Sequence, residues 1–191
     1  MKEFNIYITG VGGQGIGLLS QALVRSADHS GLEIMAVDTH GLAQRGGVVV
    51  SRIRCGSHVF SPLTLAHHCD LVLAMEIHEA LRGLGVAMKK GGTLAYLNLA
   101  WQPLPVRLGQ DKEVVPEDIT RACGQMGVQC IEVATEAVLD SRMQNMALLG
   151  TMAKHELIPG VLRTHYIKAL EDLLKEEILP RNLDVFEHYA G

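Results

Sequence analysis

Between residues 10 and 15 the chain reads Gly10-Val11-Gly12-Gly13-Gln14-Gly15, directly behind a β-rich run, Phe4–Thr9. Glycines so spaced make a tight turn, and the missing Cβ atoms let a ligand or another backbone come close. A helix starting just behind them turns unpaired N–H groups and the positive end of its dipole toward an anion. Asp38 lies 23 residues beyond Gly15, near where a dinucleotide-binding fold sets its ribose carboxylate. The same glycines could do no more than tighten a strand–helix junction, and the residues after Asp38 do not read as a second simple βα unit.

Those residues, Thr39-His40-Gly41-Leu42-Ala43-Gln44-Arg45-Gly46-Gly47, are the second candidate. A histidine, a long amide, a guanidinium and two flexible glycines suit a fork for carboxylate or phosphate. Equally, Arg45 could pair with an acid while Gly46 and Gly47 open a strand at close quarters. If both segments follow strands of one βαβ unit, Gly12–Gly15 and Gln44–Gly47 emerge at the same carboxyl edge and form one surface. Glu76 stands at the end of the apolar run Asp70–Met75, toward that crevice, but one carboxylate is a poor acid–base pair. A helix N-terminal acid favoured by the dipole explains it as well. Glu79 and Arg82 make an i,i+3 pair worth a few tenths of a kcal/mol if exposed.

Metal chemistry finds little support. His67-His68-Cys69-Asp70 is a run in which strand neighbours point to opposite faces. Cys55, Cys69, Cys123 and Cys130 lie 14, 54 and 7 residues apart, with no C-x-x-C pair, so neither a zinc nor an iron–sulfur site is written here. Buried reduced thiols are expected. No catalytic residue stands out.

The elements that must position these residues read as α/β. After Phe4–Thr9 comes a helical pattern from about Gly15 to His29, with Gly31 as its C-cap, then a strand at Glu33–Asp38. This βαβ unit implies a parallel sheet. Val48–Arg54 is a strong strand, and Gly56-Ser57 looks like a turn into His58–Phe60, an antiparallel hairpin. Asp70–Met75 is a buried strand, Glu76–Met88 a helix, Thr93–Asn98 a strand, Pro116–Met126 a helix and Gln129–Val133 the last strand. From about residue 135 the pattern is helical, broken at Pro159-Gly160 and at Pro180. The expectation is a Rossmann-like three-layer sheet, mostly parallel, in a single domain spanning 1–191 with a helical C-terminal tail.

Composition narrows the function. With 17 basic against 21 acidic residues and no basic run, nucleic-acid binding is disfavoured. No apolar run approaches membrane-span length, and a strand starting at Phe4 leaves no room for a leader in front, so a cytoplasmic location is expected. The chain is 48% hydrophobic and only 4% aromatic. An aliphatic core buried on both faces of a sheet fits this, as does a surface covered by partners. Isolated chains are expected to self-associate or form homodimers, through the helical C-terminal region or a sheet edge.

Taken together, GVGGQG after the first strand, THGLAQRGGVVVSRIR, Ser61-Pro62-Leu63, HCDLVLAMEIHEALR, KKGGTLAYLN, Gln144–Gly150 and Pro180–Gly191 resemble the pyruvate/ketoisovalerate oxidoreductase gamma domain. The resemblance is to the 2-oxoacid:ferredoxin oxidoreductase family, runs in order over nearly the whole chain, and rests most on the paired GVGGQG and HGxxQRGG motifs. The histidine at position 40 and Gln102-Pro103-Leu104-Pro105 look most like the beta subunit of its indolepyruvate branch. Ile77 stands where the family often has proline, and Leu42-Ala43 replace a more usual Met-Ser; the first puts a special backbone shape at Glu76 in doubt.

What the resemblance implies is an accessory subunit. The complex would convert a 2-oxoacid and coenzyme A to acyl-CoA and carbon dioxide, passing two electrons to ferredoxin, in anaerobic metabolism. Thiamine diphosphate and iron–sulfur clusters would sit on a partner subunit, since this chain has neither a thiamine signature nor cluster-type cysteine spacing. Gly12, Gly13, Gln14, Gly15, His40, Gln44, Arg45, Gly46, Gly47 and Glu76 are the candidate ligand or interface residues. The alternatives are a free-standing nucleotide-binding dehydrogenase using Gly12, Gly15 and Asp38, and a non-catalytic scaffold.

Overall fold

A computed structural model describes residues 3–39, 47–101, 106, 108–109, 112–138 and 140–191. Six strands, β1 (Phe4–Val11), β2 (Ile34–Thr39), β3 (Val48–Cys55), β4 (Cys69–Ala74), β5 (Met88–Leu97) and β6 (Gln129–Val133), form one sheet in the order β2-β3-β1-β4-β5-β6. β1, β4, β5 and β6 run parallel, whereas β3 is antiparallel to both β1 and β2. The expected βαβ pair is therefore split. β1 and β2 do share a direction, but β3 lies between them and moves β2 about 5 Å further out.

The antiparallel hairpin is β2–β3, with Asp38 opposite Ser51. It is not the expected one at His58–Phe60, which holds no strand. The reason is that both edges of β3 are already taken, by β1 and β2, and beyond the turn Arg54 donates to the Ser61 carbonyl at 2.9 Å and the Leu63 carbonyl at 3.3 Å. Those carbonyls face a guanidinium in place of a partner strand. β5 also begins five residues earlier than the spacing suggests, because Lys89-Lys90-Gly91-Gly92 interrupts its hydropathy without ending its backbone.

Strand residues alternate between two cores, as the two-residue period requires. Ile6, Ile8, Leu71 and Leu73 face α1 (Ile16–His29), α4 (Gln144–Lys154), α5 (Arg163–Leu173) and α6 (Leu179–Ala190). Tyr7, Val72, Leu94 and Tyr96 face α2 (Ile77–Val86) and α3 (Pro116–Met126). The C-terminal helices thus complete one layer of the molecule. Phe186 of α6 is fully buried in the larger core, and a Cβ at Gly150 would run into the Phe186 carbonyl and stand 2.8 Å from Tyr189 Cβ. Only glycine lets α4 and α6 cross this closely. Pro180 lies in the first turn of α6, where proline is tolerated, so the helix break falls before it.

The start of α1 bears most on function. Gly15 caps it in the left-handed region, and Gly31 (φ 78°) closes it, with the Leu32 N–H donating to the Ala27 carbonyl at 3.0 Å. The first turn, Ile16–Leu18, has no intrahelical acceptors for its N–H groups and points them toward the carboxyl edge of the sheet. None of the helices among the described residues is long and apolar enough to cross a membrane.

Candidate functional site

Gln14 closes the glycine turn on itself. Its Oε1 accepts from the Val11 N–H at 2.7 Å, and its Nε2 donates to the Met75 carbonyl at 3.1 Å. The end of β1 is thereby tied to the end of β4, where the Met75 N–H also donates to the Thr9 carbonyl at 2.9 Å. Gly13 and Gly15 have φ of 105° and 77°, a region in which a Cβ costs roughly 1–2 kcal/mol. Their surroundings differ. A Cβ at Gly13 would meet nothing within 4 Å, whereas one at Gly15 would press on Asn145 Nδ2 at 2.8 Å. Gly15 is thus held for packing, and Gly13 keeps an open face.

Asn145, 1% exposed in the first turn of α4, donates from Nδ2 to the Gly15 carbonyl at 3.3 Å. Among the described residues nothing reaches its Oδ1. The sequence marked Asn145 only as part of the Gln144–Gly150 segment. A contact spanning 130 positions leaves no local signal.

The Gly12 N–H donates to the Gly47 carbonyl at 2.9 Å, so the glycine turn touches the residue that closes the second candidate segment. His40, Gln44, Arg45 and Gly46 lie outside the described residues. These bonds tell against the dinucleotide alternative. In such a fold the turn's N–H groups point at a pyrophosphate, but here those of Val11 and Gly12 already have protein acceptors. Asp38 accepts from Ser20 Oγ at 2.9 Å and is separated from β1 by β3. It borders a groove of about 390 Å³ that runs down the flank between α1 and β2, lined also by Gln21, Arg25, Ile34 and Leu173.

Glu76 is 1% exposed and serves as the N-cap of α2. Its Oε1 accepts from the Glu79 N–H. Its Oε2 lies 3.0 Å from His78 Nδ1 and accepts from the Trp101 N–H at 3.3 Å. His78 Nε2 accepts from the Val114 N–H at 3.4 Å, which leaves the ring proton on Nδ1, aimed at Glu76. The carboxylate thus joins β4, α2 and the chain on either side of residues 102–111, and it presents no surface. The Glu79–Arg82 pair is likewise not an exposed one. Glu79 is 2% exposed and accepts from Thr9 Oγ1 at 2.6 Å as well as from Arg82 Nε at 2.9 Å.

The residues of the His67–Asp70 run make separate contacts. His68 Nδ1 lies 2.7 Å from the Ala66 carbonyl, Cys69 Sγ contacts Thr64 Oγ1 at 3.6 Å, and Asp70 binds the Asn5 N–H and Lys89. Among the described residues no three His, Cys, Asp or Glu side chains converge as a metal centre requires. Burial raises the Cys69 thiol and pushes that of Cys55 up to about 11, so both are poor thiolates.

A mixed six-stranded sheet with C-terminal helices of this kind is the fold of 2-oxoacid ferredoxin oxidoreductase gamma subunits. The gamma subunit of a keto/oxoacid ferredoxin oxidoreductase from Geobacter sulfurreducens superimposes with a TM-score of 0.67 at 18% identity, over 98% of this chain and 96% of that one. A pyruvate oxidoreductase subunit from Thermotoga maritima does so with a TM-score of 0.67 at 16% identity, over 100% and 96%. The family model described as pyruvate ferredoxin/flavodoxin oxidoreductase matches residues 5–189, and the chain belongs to that family. Among curated relatives, the indolepyruvate oxidoreductase subunit IorB of Methanothermobacter thermautotrophicus is 30% identical, over 99% of this chain and 97% of that protein. The subunit of the same name from Archaeoglobus fulgidus is 30% identical, over 95% and 90%.

Proposed function

We propose that this chain is the accessory subunit of an indolepyruvate-type 2-oxoacid:ferredoxin oxidoreductase. The carrying observation is its end-to-end similarity to archaeal indolepyruvate oxidoreductase subunits, 30% identical over 99% of the chain in one case. In this reading the complex performs the coenzyme A-dependent oxidative decarboxylation of a 2-oxoacid and hands the electrons to ferredoxin. Thiamine diphosphate, which supplies carbanion stabilisation, and iron–sulfur clusters, which accept electrons, belong to the partner subunit. The described residues of this chain offer no converging ligand set for a cluster, and no step is assigned to them.

The chain's own contribution is a positioning surface at the carboxyl edge of the sheet. Gly13 leaves an open approach, the first turn of α1 offers N–H groups and a positive dipole end, and Arg45 is the guanidinium that the sequence offers for the same surface. Together they suit an anionic group, either the phosphates of coenzyme A or a carboxylate of the partner. Gly12, Gln14 and Gly15 hold the turn in shape, and the contact of Gly12 with Gly47 supports a joint surface.

The test is reconstitution with the thiamine- and cluster-bearing subunit. The isolated chain should turn over no 2-oxoacid, and the pair should reduce ferredoxin with indolepyruvate and coenzyme A. Arg45→Ala should weaken coenzyme A-dependent turnover about ten- to a hundredfold, the loss of one charged hydrogen bond. A fully active complex lacking this chain, or one carrying Arg45→Ala without effect, would overturn the respective claim.

A further inference from the structure

Two of the four cysteines pack against the sheet's smaller core. Cys123 lies in the last turns of α3 and Cys130 in β6, opposite Leu94 of β5. The connection between them is short and rigid. Gly127 (φ 63°) reverses the chain, and the Val128 N–H returns to the Cys123 carbonyl at 2.9 Å. This reversal lays the end of α3 over the start of β6. Cys123 is 2% exposed within that core, and Cys130 packs against the same core while remaining half-buried. The other two cysteines have no such neighbour, since Cys55 faces the larger core and Cys69 the smaller one beside Thr64.

We propose that Cys123 and Cys130 form a two-thiol oxidation site that closes to a disulfide with hydrogen peroxide and reopens with a dithiol reductant. The Cys130 thiolate attacks one peroxide oxygen. The O–O bond breaks, the departing hydroxide takes a proton and leaves as water, and Cys130 becomes a sulfenic acid. Cys123 sulfur then displaces the hydroxyl from Cys130 sulfur, the S–S bond forms, and a second water leaves. Two thiols and one peroxide thus give one disulfide and two waters. The half-buried thiol admits the oxidant, and the buried one waits beside it to resolve the product.

The roles follow from exposure, since Cys130 is half-buried and open to the oxidant while Cys123 is 2% exposed behind it. The hydrogen bond they share holds Cys130 below the usual thiol value and drives Cys123 upward. Cys55 is pushed by burial to about 11, against an ordinary value of 9.0, so its thiolate is roughly a hundredfold scarcer than that of an ordinary thiol. The lower nucleophilicity of a more acidic thiol takes back about half of this on a logarithmic scale, leaving a preference of roughly tenfold. The site lies toward the amino-terminal end of β6, away from the glycine turn, and it is independent of the subunit assignment.

The experiment treats the purified chain with one equivalent of hydrogen peroxide, quenches with an alkylating reagent and maps the peptides by mass. A Cys123–Cys130 linked peptide, lighter by two hydrogen masses and cleaved by dithiothreitol, should form about tenfold faster than Cys55 or Cys69 is lost. Cys123→Ser should leave Cys130 as a sulfenic acid that dimedone captures. If that variant does not fold, the wild-type map decides alone. Four thiols lost at equal rates, a bond between two chains, or Cys130 oxidised to sulfinic acid with Cys123 free would each overturn the proposal.

Discussion

At the scale of single residues, Glu76 shows how a side chain placed near a crevice can serve the frame around it. Its two oxygens meet the Glu79 N–H, His78 Nδ1 and the Trp101 N–H with almost no solvent contact. Glu76→Ala should therefore lower stability by roughly 2–4 kcal/mol, a lost cap plus donors left buried without acceptors. Urea denaturation of the isolated chain measures this, and turnover per folded molecule in the complex should be unchanged. A variant that unfolds normally yet loses turnover would put Glu76 in the chemistry instead. The sequence could mark Glu76 as a helix-start acid because the signal is local. It could not show His78 and Trp101 as its partners, because the latter contact depends on β5 returning beside β4.

At the scale of elements, Gly13 and Gly15 share a backbone region but differ in neighbours, and substitutions should separate them. Gly15→Val combines left-handed strain with a clash against Asn145, and is expected to cost roughly 2–5 kcal/mol of stability. Gly13→Ala should cost only about 1–2 kcal/mol, while placing a methyl on the open face of the turn. Thermal unfolding and coenzyme A-dependent turnover, measured together, should show the first variant failing chiefly in stability and the second chiefly in activity. The reverse pattern would exchange the roles given to the two glycines. The turn and α1 were legible in the residues themselves, through the glycine spacing and the apolar stripe behind it. The pairing of β3 was not. Alternation in Val48–Arg54 reports that one face is buried, but a strand's direction depends on which neighbour it meets. Nor could His58–Phe60 be recognised as irregular, since that depends on β1 and β2 occupying both edges of β3.

At the scale of the whole molecule, apolar side chains are left facing solvent on a segment that is held in place. Phe60, Leu63 and Leu65 are 86%, 62% and 73% exposed, on the stretch pinned by Arg54. Clustered exposure of this kind favours association. Sedimentation at tens of micromolar should find the isolated chain as dimers or larger species, and replacing all three with serine should shift it toward monomer. A wild-type monomer across that range would remove the expectation. The aliphatic composition points to apolar surface without saying which residues carry it. The helical region contributes Leu162 and Ile178, at 51% and 48%, and the most exposed side chains lie elsewhere.

The tight crossing at Gly150 has a bearing on how the protein is made. Phe186 and the backbone around Tyr189 complete the larger core, and Tyr189 Oη donates to the Ala134 carbonyl at 2.7 Å. A chain leaving the ribosome amino end first will have released all six strands well before residues 179–190 emerge. Until then one face of the sheet lacks part of its cover, and apolar strand residues meet solvent. Nascent chains stalled before residue 179 should accordingly be captured by holding chaperones, whereas release past residue 190 should let the fold snap shut.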